Sequence, residues 1–325
     1  MTDAALLTRP AKFADPDVTA SGGPRARVPL VALRTLWIAT GSLCNITCRN
    51  CYIESSPEND RLAYIARAEA AAFLDEIARE GLPVTEIGFT GGEPFMNPDI
   101  LGMLEDVLRR GLKALVLTNA MQPMLRARVR DGLLALRAAH GDRLTLRVSL
   151  DHYTRTLHDE ERGPGSFDKT LEGIDWLARE SFSLALAGRT CWGESEEQAR
   201  AGYARLIAER RWPVDAEDAA SLVLFPEMDE TADVPEITEA CWTILGKSPS
   251  AVMCASSRMV VKRKGAAAPT VLPCTLLPYD PAFEMGANLV EAARADRGMF
   301  DHGAVKLCHP HCAKFCVLGG GACSA

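Results

Sequence analysis

Three cysteines, Cys44, Cys48 and Cys51, stand within eight residues of one another in the stretch GSLCNITCRNCYIESSP. Three thiolates are one short of a closed tetrahedral metal site, and an open coordination position is where a metal does chemistry. Ligands this closely spaced on one turn can converge on one face of a cubane cluster, holding three irons and leaving the fourth without a protein ligand. Structural zinc is the competing reading; it needs a fourth Cys or His nearby, and the first histidine is His140. A second concentration of thiols, Cys254, Cys274, Cys308, Cys312, Cys316 and Cys323, falls in the last 72 residues. A hydrophobic core does not need that density. Cys191 and Cys241 stand apart and read as small buried hydrophobes.

A chain of 325 residues, 47% hydrophobic and 24% charged, can bury one large core, or one core with a small appendage. Its net charge of -7 gives no overall pull toward nucleic acid or an anionic membrane. The one compact basic run, at 262–264, reads as a solvated hairpin tip. There is no apolar signal-type segment at the N-terminus and no apolar run long enough to span a bilayer, so a cytoplasmic protein with neither nucleic-acid nor membrane partners is expected. In that compartment eleven cysteines argue for metal or redox work before disulfides.

Positioning these thiols requires regular elements, and the pattern supplies them. Residues 1–30, rich in Pro, Gly, Ala and Asp without period, read as a flexible leader. From Leu33 six apolar runs of strand length follow: LRTLWIAT, VTEIGFT, KALVLTN, RLTLRVSLD, FSLALAGRT and ASLVLFPE. They alternate with stretches of helical period or composition, which predicts parallel βα units. Six units are too few for a closed eight-stranded barrel, so an α/β fold with a partial (β/α)6 TIM-like barrel is expected over 31–248, with ligands at the C-terminal ends of its strands. The polar signatures fall at those ends: the cysteine loop after the first strand, TGGEP after the second, TNA after the third, SLDHY after the fourth. From Met253 a hairpin-like segment leads into the cysteine-rich tail, which places a second, small unit at 249–325.

Together, CxxxCxxC, TGGEP at 90–94 and VSLDHYTRTLHDEERGPGSF resemble the radical S-adenosylmethionine (radical SAM) enzymes, over residue 33 to about 226 and on into the tail. The resemblance implies a 4Fe-4S cluster on Cys44, Cys48 and Cys51 whose open iron binds the amino and carboxylate groups of S-adenosylmethionine. It implies reductive cleavage to a 5'-deoxyadenosyl radical, hydrogen abstraction from a small metabolite or a peptide, and an electron donor such as flavodoxin or ferredoxin. By the same resemblance Gly91 and Gly92 let the backbone approach the ligand and Glu93 takes its amino group. Asn119 contacts the ribose, Ser149 and Arg162 the methionine carboxylate, and Tyr52 is the retained aromatic residue after the third cysteine. Two positions depart from the family pattern. Asn50 stands where an aromatic residue usually precedes the third cysteine, which weakens the expected adenine contact, and Ala120 replaces the glycine that usually follows the third-strand Asn. His152 and His158, beside the rim, read as hydrogen-bonded structural histidines.

The tail resembles the SPASM and Twitch extensions that hold auxiliary 4Fe-4S clusters. That resemblance implies that Cys254 and Cys274, flanking the hairpin, share a cluster with tail cysteines among Cys308, Cys312, Cys316 and Cys323. Six thiolates satisfy one cluster with two to spare, or two clusters with an open iron each. Thr275 stands where the side-chain-dehydrogenating members commonly carry aspartate, which weighs against that chemistry. A leader of 30 residues is too short for a peptide-binding domain, which favours a metabolite or a peptide presented by a separate partner. The competing class is a non-catalytic iron-sulfur electron carrier on the same fold. TGGEP and the Ser149 to Arg162 segment discriminate, because a carrier has no use for a ligand's amino acid moiety.

Overall fold

The computed structural model describes residues 11–226 and 233–320. Each apolar run becomes a strand: β1 (Thr35–Ala39), β2 (Glu86–Thr90), β3 (Lys113–Thr118), β4 (Leu144–Ser149), β5 (Ser183–Arg189) and β6 (Leu222–Phe225). They pair in parallel and in chain order. All five residues of β1 are buried, as a parallel strand covered on both faces must be. Helices α1 (Arg67–Arg79), α2 (Ile100–Arg109), α3 (Ala127–His140), α4 (Arg155–Arg162), α5 (Ser166–Arg179) and α6 (Glu196–Arg210) carry the chain between strands. Packing holds them there. In α2 the buried residues Ile100, Met103, Leu104, Val107 and Leu108 follow the helical period, each contributing about 1.5–3 kcal/mol. α6 starts on a capping box, Ser195 Oγ accepting from Gln198 N at 3.2 Å and Gln198 Oε1 from Ser195 N at 2.9 Å.

The hairpin expected in the C-terminal unit instead extends the barrel sheet. Strand β7 (Ser257–Val261) pairs in parallel with β1, Thr35 opposite Ser257, and β8 (Thr270–Leu272) folds back against β7. The resulting order is β6-β5-β4-β3-β2-β1-β7-β8. A boundary near 248 is therefore no edge of the sheet. The physical reason is that every residue of SRMVV in β7 is buried, and the free side of β1 offers the backbone partners such a strand needs. The basic tip is not merely solvated: Lys262 pairs with Glu69 at 2.6 Å and Lys264 with Asp60, fastening the hairpin to α1 and to the loop before it.

Residues 11–30 are not a free leader either. Buried Arg25 pairs with Glu236 at 2.6 Å and donates to the carbonyls of Asp15, Val18 and Leu307. Arg27–Val28 pairs antiparallel with Ala304–Lys306, which also pairs with Phe300–Asp301. This small sheet covers a second apolar cluster, containing Ala26, Val28, Val252, Cys254, Leu307, Cys312 and Val317. Residues 1–10 lie outside the described residues. Among the described residues no helix is long and apolar enough to cross a membrane.

Candidate functional site

The loop between β1 and α1 carries Cys44, Cys48 and Cys51, and the end of β2 holds its near side. Gly92 N donates to Gly41 O at 2.6 Å, Glu93 N to Leu43 O at 3.0 Å, and Thr40 N to Thr90 O at 2.7 Å. A Cβ on Gly92 would sit 1.8 Å from Leu43 O; on Gly91, whose φ is +126°, it would sit 2.4 Å from Gly41 O. Both glycines are thus required by the cysteine loop itself, where sequence pattern had assigned them to the approach of a ligand. Only Gly91 of the two also lines the neighbouring cavity.

Glu93 is buried beneath Cys44. Its Oε1 accepts from Thr118 Oγ1 at 2.8 Å and Phe95 N at 3.2 Å, and its Oε2 from Asn119 N at 2.9 Å. Burial pushes its carboxyl pKa up, and these bonds pull it back. The Asn119 amide is turned toward the loop: Nδ2 donates to Asn45 Oδ1 at 2.9 Å and lies 3.8 Å from Cys44 Sγ. Ala120 sits at φ +57°, in the left-handed region, which is why glycine would be at home there.

The far side of the loop meets α4 and β5. Arg162 grips Asp151 through Nε to Oδ2 at 2.5 Å and Nη2 to Oδ1 at 3.1 Å. Arg189, the last residue of β5, approaches the same carboxylate with Nε at 3.5 Å and donates through Nη2 to Asn50 O at 2.9 Å. Glu161 accepts from Asn50 N at 2.9 Å and Asn50 Nδ2 at 2.8 Å. Asn50 therefore fits this site as a polar anchor, where an aromatic ring was the expectation. Burial alone would raise the Asp151 carboxyl, but the Arg162 and Arg189 guanidiniums hold it below its ordinary value. Burial disfavours the Arg162 cation, and the Asp151 carboxylate beside it more than restores it, pushing its pKa up.

These groups surround one cavity at the C-terminal ends of the strands. Cys48, Cys51 and Tyr52 line one side, and Ser149, Asp151, Arg162 and Arg189 another. Leu117, Ala187, Phe225, Leu276 and Phe315 make an apolar wall, with Phe225 and Phe315 stacked at 5.7 Å. Asp151, Glu161 and Arg189 escaped the sequence reading. The available signals were weak ones: an acid two residues past Ser149, next to an arginine in need of a partner, and a cation at a strand's C-terminal end.

The donor set fits an iron-sulfur cluster. Burial, then Glu93, pushes the Cys44 thiol up to about 12, and burial pushes Cys48 up to about 11 against the pull of Arg162. Thiols so desolvated ionise only against a metal, which supplies the missing positive charge. His152 is hydrogen-bonded as expected, Nδ1 accepting from Thr154 N at 3.0 Å and Nε2 meeting Glu194 at 3.0 Å. His158 is not. Both its ring nitrogens lack a partner among the described residues, and burial pushes its pKa down to about 4, so the ring is neutral at physiological pH.

In the tail, Cys254, Cys274, Cys312 and Cys316 line a single small cavity with Leu276, Leu277, Leu307 and His311. Cys312 and Cys316 share one face of the π-helical segment Cys312–Leu318, while Phe315 reaches the first cavity. Cys308 is directed elsewhere, its thiol donating to Phe13 O at 3.2 Å and Asp15 O at 3.4 Å. Cys323 lies outside the described residues. Thr275 is buried, with its hydroxyl 3.9 Å from Met253 Sδ. Among the described residues, the only three thiol, imidazole or carboxylate donors within 4.8 Å of one another are Asp296, Asp301 and His302.

A partial parallel barrel thus carries a three-thiol loop at the C-terminal rim of its strands. Residues 38–190 match the model of the radical SAM superfamily. The chain is 30% identical over 171 residues to AlbA, the antilisterial bacteriocin subtilosin biosynthesis protein of Bacillus subtilis, covering 52% of this chain and 35% of AlbA. It is 33% identical over 144 residues to the AdoMet-dependent heme synthase of Methanosarcina barkeri, covering 44% of this chain and 38% of that protein. The chain thus spans well under half the length of these curated relatives. Among solved structures, SuiB of Streptococcus suis bound to S-adenosylmethionine shares the fold, with a TM-score of 0.60 at 13% identity, covering 85% of this chain and 68% of SuiB.

Proposed function

We propose that this chain is a radical SAM enzyme that cleaves S-adenosylmethionine reductively and abstracts hydrogen from an apolar C-H position of its substrate. The observation that carries this reading is the cavity, which brings two of the loop thiols, a serine and an arginine fork, and an aromatic wall to one space. An electron carrier needs no such space. Cys44, Cys48 and Cys51 would hold a 4Fe-4S cluster, which, reduced by a flavodoxin- or ferredoxin-type donor, would supply the electron for cleavage to a 5'-deoxyadenosyl radical. Ser149 and the remaining Arg162 donor bind the ligand carboxylate, and Glu93 fixes the loop from below while offering negative charge to the amino group. The apolar wall excludes water from the reacting position. The two curated relatives point to different substrates, one named for bacteriocin biosynthesis and the other for heme synthesis, so the substrate is assigned only as the apolar group that this wall accepts.

Glu93→Gln and Arg162→Lys are expected to keep full iron and lose about tenfold or more in S-adenosylmethionine affinity and 5'-deoxyadenosine formation. Each weakens a charge-assisted contact worth about 1.5–3 kcal/mol without removing a thiolate. The deciding experiment is anaerobic: reconstituted wild-type protein with S-adenosylmethionine and dithionite should yield 5'-deoxyadenosine, and fully loaded protein that yields none is a carrier.

We further infer one auxiliary cluster on Cys254, Cys274, Cys312 and Cys316. Leu276 lines both cavities, so this site lies directly behind the substrate wall. Folded Cys274→Ala protein is expected to go on forming 5'-deoxyadenosine while product is lost. Equal loss of both would assign the auxiliary site to stability.

A further inference from the structure

We propose that Arg189 is a positioning residue that ties the third cysteine's end of the loop to the barrel with an ionic clamp. This rests on the reading that the three loop thiols hold a cluster. The two ends of the loop are anchored differently. Cys44 is fixed by β2 and β3, through Gly92, Glu93 and Asn119. Just before Cys51, the backbone meets the barrel through Glu161 and Arg189: Arg49 N donates to Glu161 O at 2.8 Å, Asn50 N to Glu161 Oε1 at 2.9 Å, and Arg189 Nη2 to Asn50 O at 2.9 Å.

Arg189 is suited to this by its surroundings. It is 8% exposed at the end of a central strand, so its guanidinium is held against rigid structure. Its Nη2 lies 3.8 Å from Glu161 and its Nε 3.5 Å from Asp151. Two guanidiniums and two carboxylates thereby alternate in one chain, Arg162 to Asp151 to Arg189 to Glu161, with balanced charge. Removing Arg189 frees the Asn50 carbonyl and leaves two buried carboxylates against one cation beside the thiols. Asn50 itself is exposed.

The test uses the full chain, with Arg189→Ala and Arg189→Lys. Hydrogen exchange on iron-free protein reads the tether without any cluster: the amides of Arg49 and Asn50 should lose about tenfold protection in Arg189→Ala and less in Arg189→Lys, while those of Gly92 and Glu93 keep theirs. On reconstituted protein, iron content should match wild type, but a chelator should strip the loop iron about tenfold faster. Unchanged exchange at Arg49 and Asn50 overturns the proposal. So does an unchanged stripping rate with weakened S-adenosylmethionine binding, which makes Arg189 a ligand-binding group. Wild-type protein that takes up no loop iron refutes the cluster reading instead, and the exchange measurement still decides the tether. Should Arg189→Ala fail to fold, Arg189→Lys carries the same comparison.

Discussion

Replacing Cys44, Cys48 and Cys51 together with Ala is expected to leave about 4 irons in anaerobically reconstituted protein where the wild type holds about 8, and to abolish 5'-deoxyadenosine formation. The two thiol sets belong to different parts of the fold, which is why one should empty without the other. The loop set rests on the ends of β2, β3, β4 and β5. The tail set lies around its own cavity, with Cys254 and Cys312 in the second apolar cluster. Losing all three thiolates removes every protein ligand of the first cluster, so the effect on chemistry should be complete, not graded. Iron and sulfide analysis with EPR of the reduced protein checks it. Unchanged iron in the triple variant, or zinc as the native metal, would sink the assignment.

The second large effect should come from a single methyl group. Gly92→Ala places a Cβ 1.8 Å from Leu43 O and 2.4 Å from Leu43 C, both backbone atoms that no side-chain rotation can move. The loop must lift away from β2, breaking the bonds from Gly92 N to Gly41 O and from Glu93 N to Leu43 O. Two lost backbone hydrogen bonds and the overpacking together cost about 2–6 kcal/mol. The expected result is a clearly lowered melting temperature and about 4 irons retained, those of the tail. Full loading and wild-type stability in Gly92→Ala would mean that the loop does not lie against this glycine.

The barrel was legible because its signals are local. Six apolar runs, each followed by a helical stretch, became β1 to β6, and the motifs fell at strand ends as parallel topology demands. What escaped was long-range pairing. Arg25 lies 211 residues from Glu236, and nothing in a Pro- and Gly-rich leader announces that its arginine is buried. Strand β7 reads as half of a hairpin because β8 follows it, whereas its parallel bond to β1 leaves no local mark. At the site, the family resemblance picked out Gly91, Gly92 and Asn119 for a ligand, but their contact with the cysteine loop is a matter of tertiary approach. The chain of Arg162, Asp151, Arg189 and Glu161 draws on α4, β5 and the turn after β4, and charges that meet only in space have no spacing to read.

The seating of β7 against β1 also sets a timetable for synthesis. β1 leaves the ribosome early and can pair with β2 at once, but its other edge waits for β7, which arrives only after the rest of the parallel sheet. At about 5–20 residues per second that wait is roughly ten to forty seconds. Throughout it the strand that leads into the first thiol loop presents a bare apolar edge, the kind that templates mispairing between nascent chains. A fragment cut at residue 248 to isolate the barrel would carry that edge permanently. The last strands of this sheet thus act as a completion step for its first, and the strand that leads into the thiol loop is paired on both edges only once they are in place.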